Sequence, residues 1–322
     1  MAEITRREFF KELLKTAAVA VVTVSVYFGF YSNRPIKKRP LKPKRLPDYR
    51  KGLEPLPQKF VVVKGNSQRK MLRHAVERLG GIERFVKPGE RVLIKPNASW
   101  ARPPEYGATT DPELVAEMVR LCYEGGAKEV WVTDVCVNEP HKAFLVSGIG
   151  PASVKAGASV KIPNEKDFVY THIGGELIKA WHVSKFYHEV DRLINMPVVK
   201  HHSLSGCTIA MKNLYGAMGG RRHQFHQDIH LAIAEIAVAL KPTLTVVDCI
   251  RILKRNGPTG GSLMDVQEHW AIVVGTDIVA IEAFCAQLLD LNAKDLPFLS
   301  LGQKLGLGSM HWRDVEHEIV SL

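Results

Sequence analysis

Between Phe60 and Leu305 the chain alternates short apolar runs with longer stretches whose apolar residues recur every three or four positions. "KFVVVKG", "RVLIKPN" and "EVWVTD" have the run length of buried strands. Between the first two lies "SQRKMLRHAVERLGG", with Met71, Leu72, Ala75, Val76 and Leu79 at helical spacing. "DPELVAEMVRLCYEGGA" predicts a second helix, with Asp111 as its cap and Pro112 in its first turn. This β-α-β-α-β order predicts an α/β fold, mainly parallel sheet(s) with crossover helices, in one body or two α/β lobes. Later strands are predicted at "SVKIP", "RLINMPVV", "LTVVDCI" and "WAIVVGT", and helices over Gln227–Leu240, Asp277–Leu289 and Pro297–Leu305. The stretch from Pro140 to Lys185 carries glycines and no clear period, which predicts irregular structure.

Ahead of this domain the pattern changes. "TRREFFKELLK" places two arginines before an uncharged run of 15 residues, Ala17 to Tyr31. A basic segment before a short apolar one reads as an export signal, and paired arginines point to the Tat translocase. The run is short of the about 20 apolar residues of a free-standing span. Residues 1–32 are therefore expected to be a twin-arginine signal, either cleaved or kept as an anchor through residues 17–31. The expected location is periplasmic or otherwise extracytoplasmic. Residues 33–59, with "RPIKKRPLKPKRLPDYRKG", read as a basic Pro-rich linker, and residues 60–322 as the α/β domain.

Charge follows the same division. Residues 1–59 carry 14 Lys and Arg against 5 Asp and Glu, whereas residues 60–322 carry 30 against 28. The basic excess thus belongs to the signal and linker, where contact with an anionic membrane surface is expected. A nucleic-acid partner for the domain is not. The five cysteines form no C-x-x-C pair, so no ferredoxin-type cluster or zinc ribbon is encoded; "LCY", "DCI" and "FCA" place most of them in apolar surroundings.

Ligands of open parallel sheets collect beyond the carboxyl ends of the strands. Here those ends carry Lys95 and Asn97, Asp134, Lys200 and His202, Asp248, and Thr276 with Asp277. A lysine and an asparagine, Lys212 and Asn213, interrupt the apolar stretch "GCTIAMKNLYGAMGG". Burying that amine is costly unless it is paired or reacts. His223, His226 and His230 follow; on one helix they would share a face at spacings of three and four, and His226 and His223, with Asp134, are the candidate ligands of a divalent metal. Thr109 and Thr110 at a helix start, and Gly260 and Gly261 in "RNGPTGG", are candidate anion binders beside Lys95, Asn97, Lys200 and Asn213.

"VLIKPN", "TTDPELV", "INMPVVKHHSLSGCTIAMKNLYGAMGG", "VVDCI", "NGPTGG", "GTDIVAIEA" and a late "GLG" resemble, in order and over residues 60–310, the domain-of-unknown-function family numbered 362. Many members resemble exported iron–sulfur proteins through a ferredoxin segment, whose cysteines this chain does not carry. Members usually have aspartate where this chain has Glu282. A fainter resemblance joins "KHH", with Lys212 ten residues after His202, to the nickel-pincer lactate racemase family. That resemblance implies an acid–base role for His202, a cofactor tether at Lys212, and nickel on His223, His226 or His230. This chain reads "TIAMKN" where the family has GG-x-K, so what carries over is a polar site with a reactive lysine.

Three functions follow. The first is an exported enzyme acting on a small anionic ligand, with His202, Lys212 and Asp248 as catalytic groups and a divalent metal as the candidate cofactor. The second is a non-catalytic metal- or iron–sulfur-associated accessory protein of an extracytoplasmic redox system. The third is a membrane-tethered binding module that uses the basic linker.

Overall fold

The structure, a computed structural model, describes residues 5–30, 42–53 and 55–322, with backbone only over 25–30. It divides into two units, Met1–Lys42 and Pro43–Leu322. In the first, helix α1 (Arg6–Phe30) starts at a reciprocal cap: Thr5 Oγ1 donates to Glu8 Oε2 at 2.7 Å. No helix among the described residues is long and apolar enough to cross a membrane. Tyr31, and residues 32–41 of the expected signal and linker, lie outside the described residues.

In the second unit the strands are β1 (Lys59–Lys64), β2 (Arg91–Pro96), β3 (Glu129–Val132), β4 (Ser159–Val160), β5 (Phe168–His172) and β6 (Ala180–Ser184). They continue with β7 (Arg192–Met196), β8 (Val198–His202), β9 (Gly206–Thr208), β10 (Leu244–Leu253), β11 (Val266–Gly275) and β12 (Glu316–Ser321). The main sheet runs β12-β1-β11-β10-β7-β2-β3-β4, with β8 and β9 attached to β10. Most pairings are parallel; β11 lies antiparallel between β1 and β10.

Successive residues of each strand face opposite sides, and both sides are covered. Val61, Val63, Val92, Ile94, Val246 and Ile272 pack against helices α2 (Gln68–Arg78) and α3 (Pro112–Glu124). On that side lie also α4 (Pro140–Val146) and α5 (Ile149–Lys155), through Phe144 and Ile149. Their neighbours Phe60, Val62, Leu93, Val247 and Val273 pack on the other face. There they meet α6 (Ala210–Asn213), α7 (Ile229–Leu240), α8 (Ile278–Ala286) and α9 (Pro297–Lys304). The α/β expectation thus holds, as one compact unit with one main sheet rather than two lobes.

Four local expectations change. "RLINMPVV" is two strands, because Pro197 has no N–H to continue the ladder; its carbonyl accepts from Asp248 N at 2.8 Å. The stretch Pro140–Lys185 is not irregular: it holds α4, α5, β4 and the separate β5–β6 hairpin. Residues 43–53 are not an extended linker either. Tyr49 and Leu53 are buried, Tyr49 Oη donates to Tyr187 O at 2.7 Å, and Arg50 donates to the carbonyls of Pro242 and Thr276. Two large apolar residues inside the basic run suffice to dock it. Finally, α7 begins only at Ile229, after a 3-10 segment over Arg222–Asp228.

Candidate functional site

Parallel strands β2, β3 and β8 end at the same edge and bring Lys95, Asn97, Asp134, Lys200 and His202 together. Segment α6 crosses above them and adds Lys212 and Asn213. A cavity of 540 Å³ opens there, lined by Asn97, Lys200, His202, Lys212, Asn213 and Arg222 among others. Among the described residues no carboxylate lines it.

Its floor is a hydrogen-bonded polar network. Lys95 Nζ donates to Asp134 Oδ1 at 2.7 Å, to Pro96 O at 2.9 Å and to Asn213 Oδ1 at 3.3 Å. Asn213 Oδ1 also accepts from Asn97 Nδ2 at 3.0 Å, and Asn213 Nδ2 donates to Asn195 Oδ1 at 2.9 Å. Lys200 Nζ donates to Asn97 Oδ1 at 3.0 Å and to Ala108 O at 2.5 Å. Burial pulls the Lys200 ammonium down to about 7, against the attraction of Asp134. The Lys95–Asp134 pair is fully buried directly beneath Gly216. A Cβ at Gly216 would run into Asp134 Oδ1 and Lys95 Nζ, so only glycine lets the backbone lie on the pair.

Lys212 is held differently. Glu282, buried on α8, accepts from Met211 N at 2.6 Å and so fixes the segment that carries the lysine. The Lys212 ammonium lies 4.1 Å from the Tyr215 ring centroid. Burial first, then the nearby Arg222 charge, brings it down to about 8. Arg222 is a third cation, held by the carbonyls of Tyr215, Met218 and Val135.

His202 Nδ1 accepts from Leu204 N at 3.2 Å and Ser205 N at 3.4 Å. With that lone pair occupied, the proton of the neutral ring belongs on Nε2. Burial, with Lys212 and Lys200 nearby, lowers the ring to about 3. The expected acid–base histidine titrating near working pH is therefore replaced by a neutral imidazole that donates from Nε2.

Other candidate residues fall elsewhere. Asp248 sits in the middle of β10, not at its end, and does not line the cavity. Its carboxylate accepts from Asp111 N at 2.7 Å and Ile250 N at 2.8 Å, which ties the start of α3 to the sheet. Thr110 Oγ1 accepts from Asn97 N and donates to Met196 O, a structural link, and Thr109 Oγ1 is buried without a partner. The N–H groups at the start of α3 are taken by the Asp111 side chain. Gly260 and Gly261 do not line the cavity, although Pro258 of the same loop does. Thr276 and Asp277 lie at the opposite end of the sheet, because β11 runs antiparallel and its Gly275 pairs with Thr245 at the start of β10.

His223 and His226 line the cavity, whereas His230 stacks on Phe298 at 5.9 Å between α7 and α9. The 3-10 segment breaks the shared helical face expected of His226 and His230. Asp134 is engaged by Lys95, Ala98 N and Ser99, and among the described residues no group of three His, Cys, Asp or Glu could hold a metal ion. The cations beside the two remaining histidines also oppose a metal cation. The residues present thus do not fit the expected metal. Arg222, Gly216 and the support from Glu282 were not singled out from sequence as site residues. The one available signal was a glutamate inside the apolar "DIVAIEAF".

Comparisons with known proteins give the chain a family and several more distant likenesses. The family model described as "Domain of unknown function (DUF362)" matches residues 92–287. A thylakoid-associated protein of Synechocystis sp. is 28% identical over 244 residues, covering 73% of this chain and 74% of that one. A 3-phosphoshikimate 1-carboxyvinyltransferase of Chlorobium luteolum is 29% identical over 106 residues, 33% of this chain and 22% of the enzyme. Among solved structures, the lactate racemase apoprotein of Thermoanaerobacterium thermosaccharolyticum aligns at 14% identity and a TM-score of 0.39. That alignment covers 71% of this chain and 57% of the racemase chain.

Proposed function

This chain belongs to the DUF362 family, and from that premise we propose an enzyme that binds a small carboxylate or phosphate and moves a proton on it. One observation carries the reading: a cavity lined by Lys200, Lys212 and Arg222, with no carboxylate among its described lining residues. Buried cations without acidic partners there are stabilised when an anion enters.

Roles follow from the geometry. Lys200, whose amine is held by two acceptor oxygens, and Arg222, held by three carbonyls, are fixed donors for the anionic group. Lys212, lowered by burial and without a hydrogen-bond acceptor among the described residues, serves as the base, whereas the Lys200 amine is committed to Asn97 and Ala108. A proton from carbon beside the anionic group goes to Lys212 Nζ. In a carboxylate the C–H electron pair becomes the C=C bond of an enediolate while the C=O π pair moves onto its oxygen, and His202 Nε2–H donates to that oxygen. The test is deuterium exchange at the α-carbon of a panel of small carboxylates in D2O, followed by NMR. Wild type should exchange at least one of them and Lys212→Met none. Equal exchange by the two, or no anion raising the melting temperature at millimolar concentration, refutes the reading.

The proposal includes export by the Tat translocase, supported by Arg6–Arg7 ahead of the helical apolar segment. The description of the Synechocystis relative as thylakoid-associated points towards a membrane as well. Changing both arginines to lysine should retain the protein in the cytoplasmic fraction; unchanged export refutes it.

A further inference from the structure

The polarity of the cavity is inverted relative to a usual protein surface. Its deep residues are charged or polar: Lys200 is 1% exposed, Lys212 7% and His202 8%. Its mouth is apolar in part, beside the exposed Ser203, His223 and His226. Val137 and Leu204 are 58% and 56% exposed, and Trp100 and Pro258, half-buried, line the same opening. These four residues come from four separate connections, after β2, after β3, between β8 and β9, and between β10 and β11. Single exposed apolar residues are ordinary, but four loops converging apolar side chains on one charged cavity are not.

The turns that present them are built rather than loose. Val137 N donates to Ser99 O at 3.0 Å, which ties the Trp100 and Val137 loops together. Leu204 N donates to His202 Nδ1, so the apolar tip of the β8–β9 hairpin is coupled to the ring in the floor. Gly257 N donates to His201 Nδ1 at 3.2 Å and fixes the Pro258 loop against β8.

We propose that the ligand is an amphipathic anion, whose acidic group reaches Lys200 and Arg222 while an apolar body, a ring or branched alkyl group, lies against Trp100, Val137, Leu204 and Pro258. This deepens the anion-site reading above and rests on it. The volume of 540 Å³ suits a drug-sized molecule and leaves space beyond a bare acid group. Covering a ring at the mouth removes roughly 80 Å² of apolar surface from water, worth about tenfold to thirtyfold in affinity.

Calorimetric titration of the full chain tests this with two pairs that differ only in the apolar body: inorganic phosphate against phenyl phosphate, and acetate against phenylacetate. In each pair the aryl compound should bind at least tenfold more tightly. Leu204→Ser and Trp100→Ala should each reduce that ratio severalfold, while the dissociation constant for inorganic phosphate stays within about twofold. Equal affinities within both pairs, with phosphate or acetate still bound, would overturn the amphipathic ligand and leave the anion site standing. Binding of none of the four would overturn both. An aryl preference that survives both mouth variants would also overturn it, since the body would then lie elsewhere.

Discussion

Replacing Lys212 by methionine should make the protein more stable. The substitution keeps the unbranched stem and removes the charge. An ordinary lysine titrates near 10.5, and burial with Arg222 close by brings Lys212 down to about 8. At 1.36 kcal/mol per pH unit, carrying the ammonium at pH 7 costs the folded state about 3 kcal/mol. The contact with Tyr215 at 4.1 Å is lost in the variant, which returns about 1 kcal/mol. The net expectation is a gain of about 2 kcal/mol at pH 7, or roughly 4 °C or more in melting temperature. The sign of the pH dependence is fixed. Between pH 8 and 10.5 the unfolded chain still holds the proton that the folded chain has released, so wild-type stability rises with pH there. The advantage of the variant should therefore shrink across that window and vanish above it. Differential scanning calorimetry of both proteins at pH 7, 9 and 10.5 checks this, with anion binding, which rests on Lys200 and Arg222, followed in parallel and expected to persist. A melting temperature that falls in the variant at pH 7 would refute the reasoning, because the amine would then be a structural cation and not one held in reserve for a ligand.

Asp134→Asn leaves Lys95 charged in a buried site and should lower stability by about 3–5 kcal/mol, read from the urea midpoint; a loss below about 1 kcal/mol contradicts the buried pair. His202, lowered from 6.5 to about 3, stays neutral between pH 5 and 7, so His202→Gln should leave the shape of the pH profile of anion affinity over that range unchanged. The unfolded chain takes up that proton first, so stability falls as pH drops from 6.5 towards 3. His202→Gln should flatten that fall, and an unchanged acid limb would count against it. Gly216→Ala should abolish anion binding and lower the melting temperature through collision with Asp134 and Lys95. Gly261→Ala, where a Cβ meets nothing within 4 Å, should change neither, and equal effects of the two would remove Gly216 from the floor.

Strand positions were legible because burial on both faces leaves nearly continuous apolar runs, as in β1, β2 and β10. Strand direction was not. Nothing in "WAIVVGT" says that β11 enters antiparallel, and that one reversal carries Thr276 and Asp277 to the far end. Convergence of Lys95, Asn97, Asp134, Lys200 and His202 could be read because β2, β3 and β8 point the same way. Asp248 was misplaced for a related reason: its strand continues to Leu253, so an aspartate that looked terminal lies in mid-strand and anchors α3. The histidines failed on local geometry, since a 3-10 segment advances about 120° per residue rather than 100° and His230 turns to Phe298. The α4, α5 and β5–β6 elements escaped because short elements carry too few residues to establish a period.

The carboxylate-free lining of the cavity has a practical corollary for solution work. Under the proposed anion binding, chloride, sulfate and phosphate in common buffers should compete for the same donors, so an apparent dissociation constant would report an exchange of one ion for another. Affinity should then follow the identity of the buffer salt more closely than its ionic strength. Screens in acetate-free, low-chloride zwitterionic buffer will reveal ligands that phosphate-buffered saline conceals.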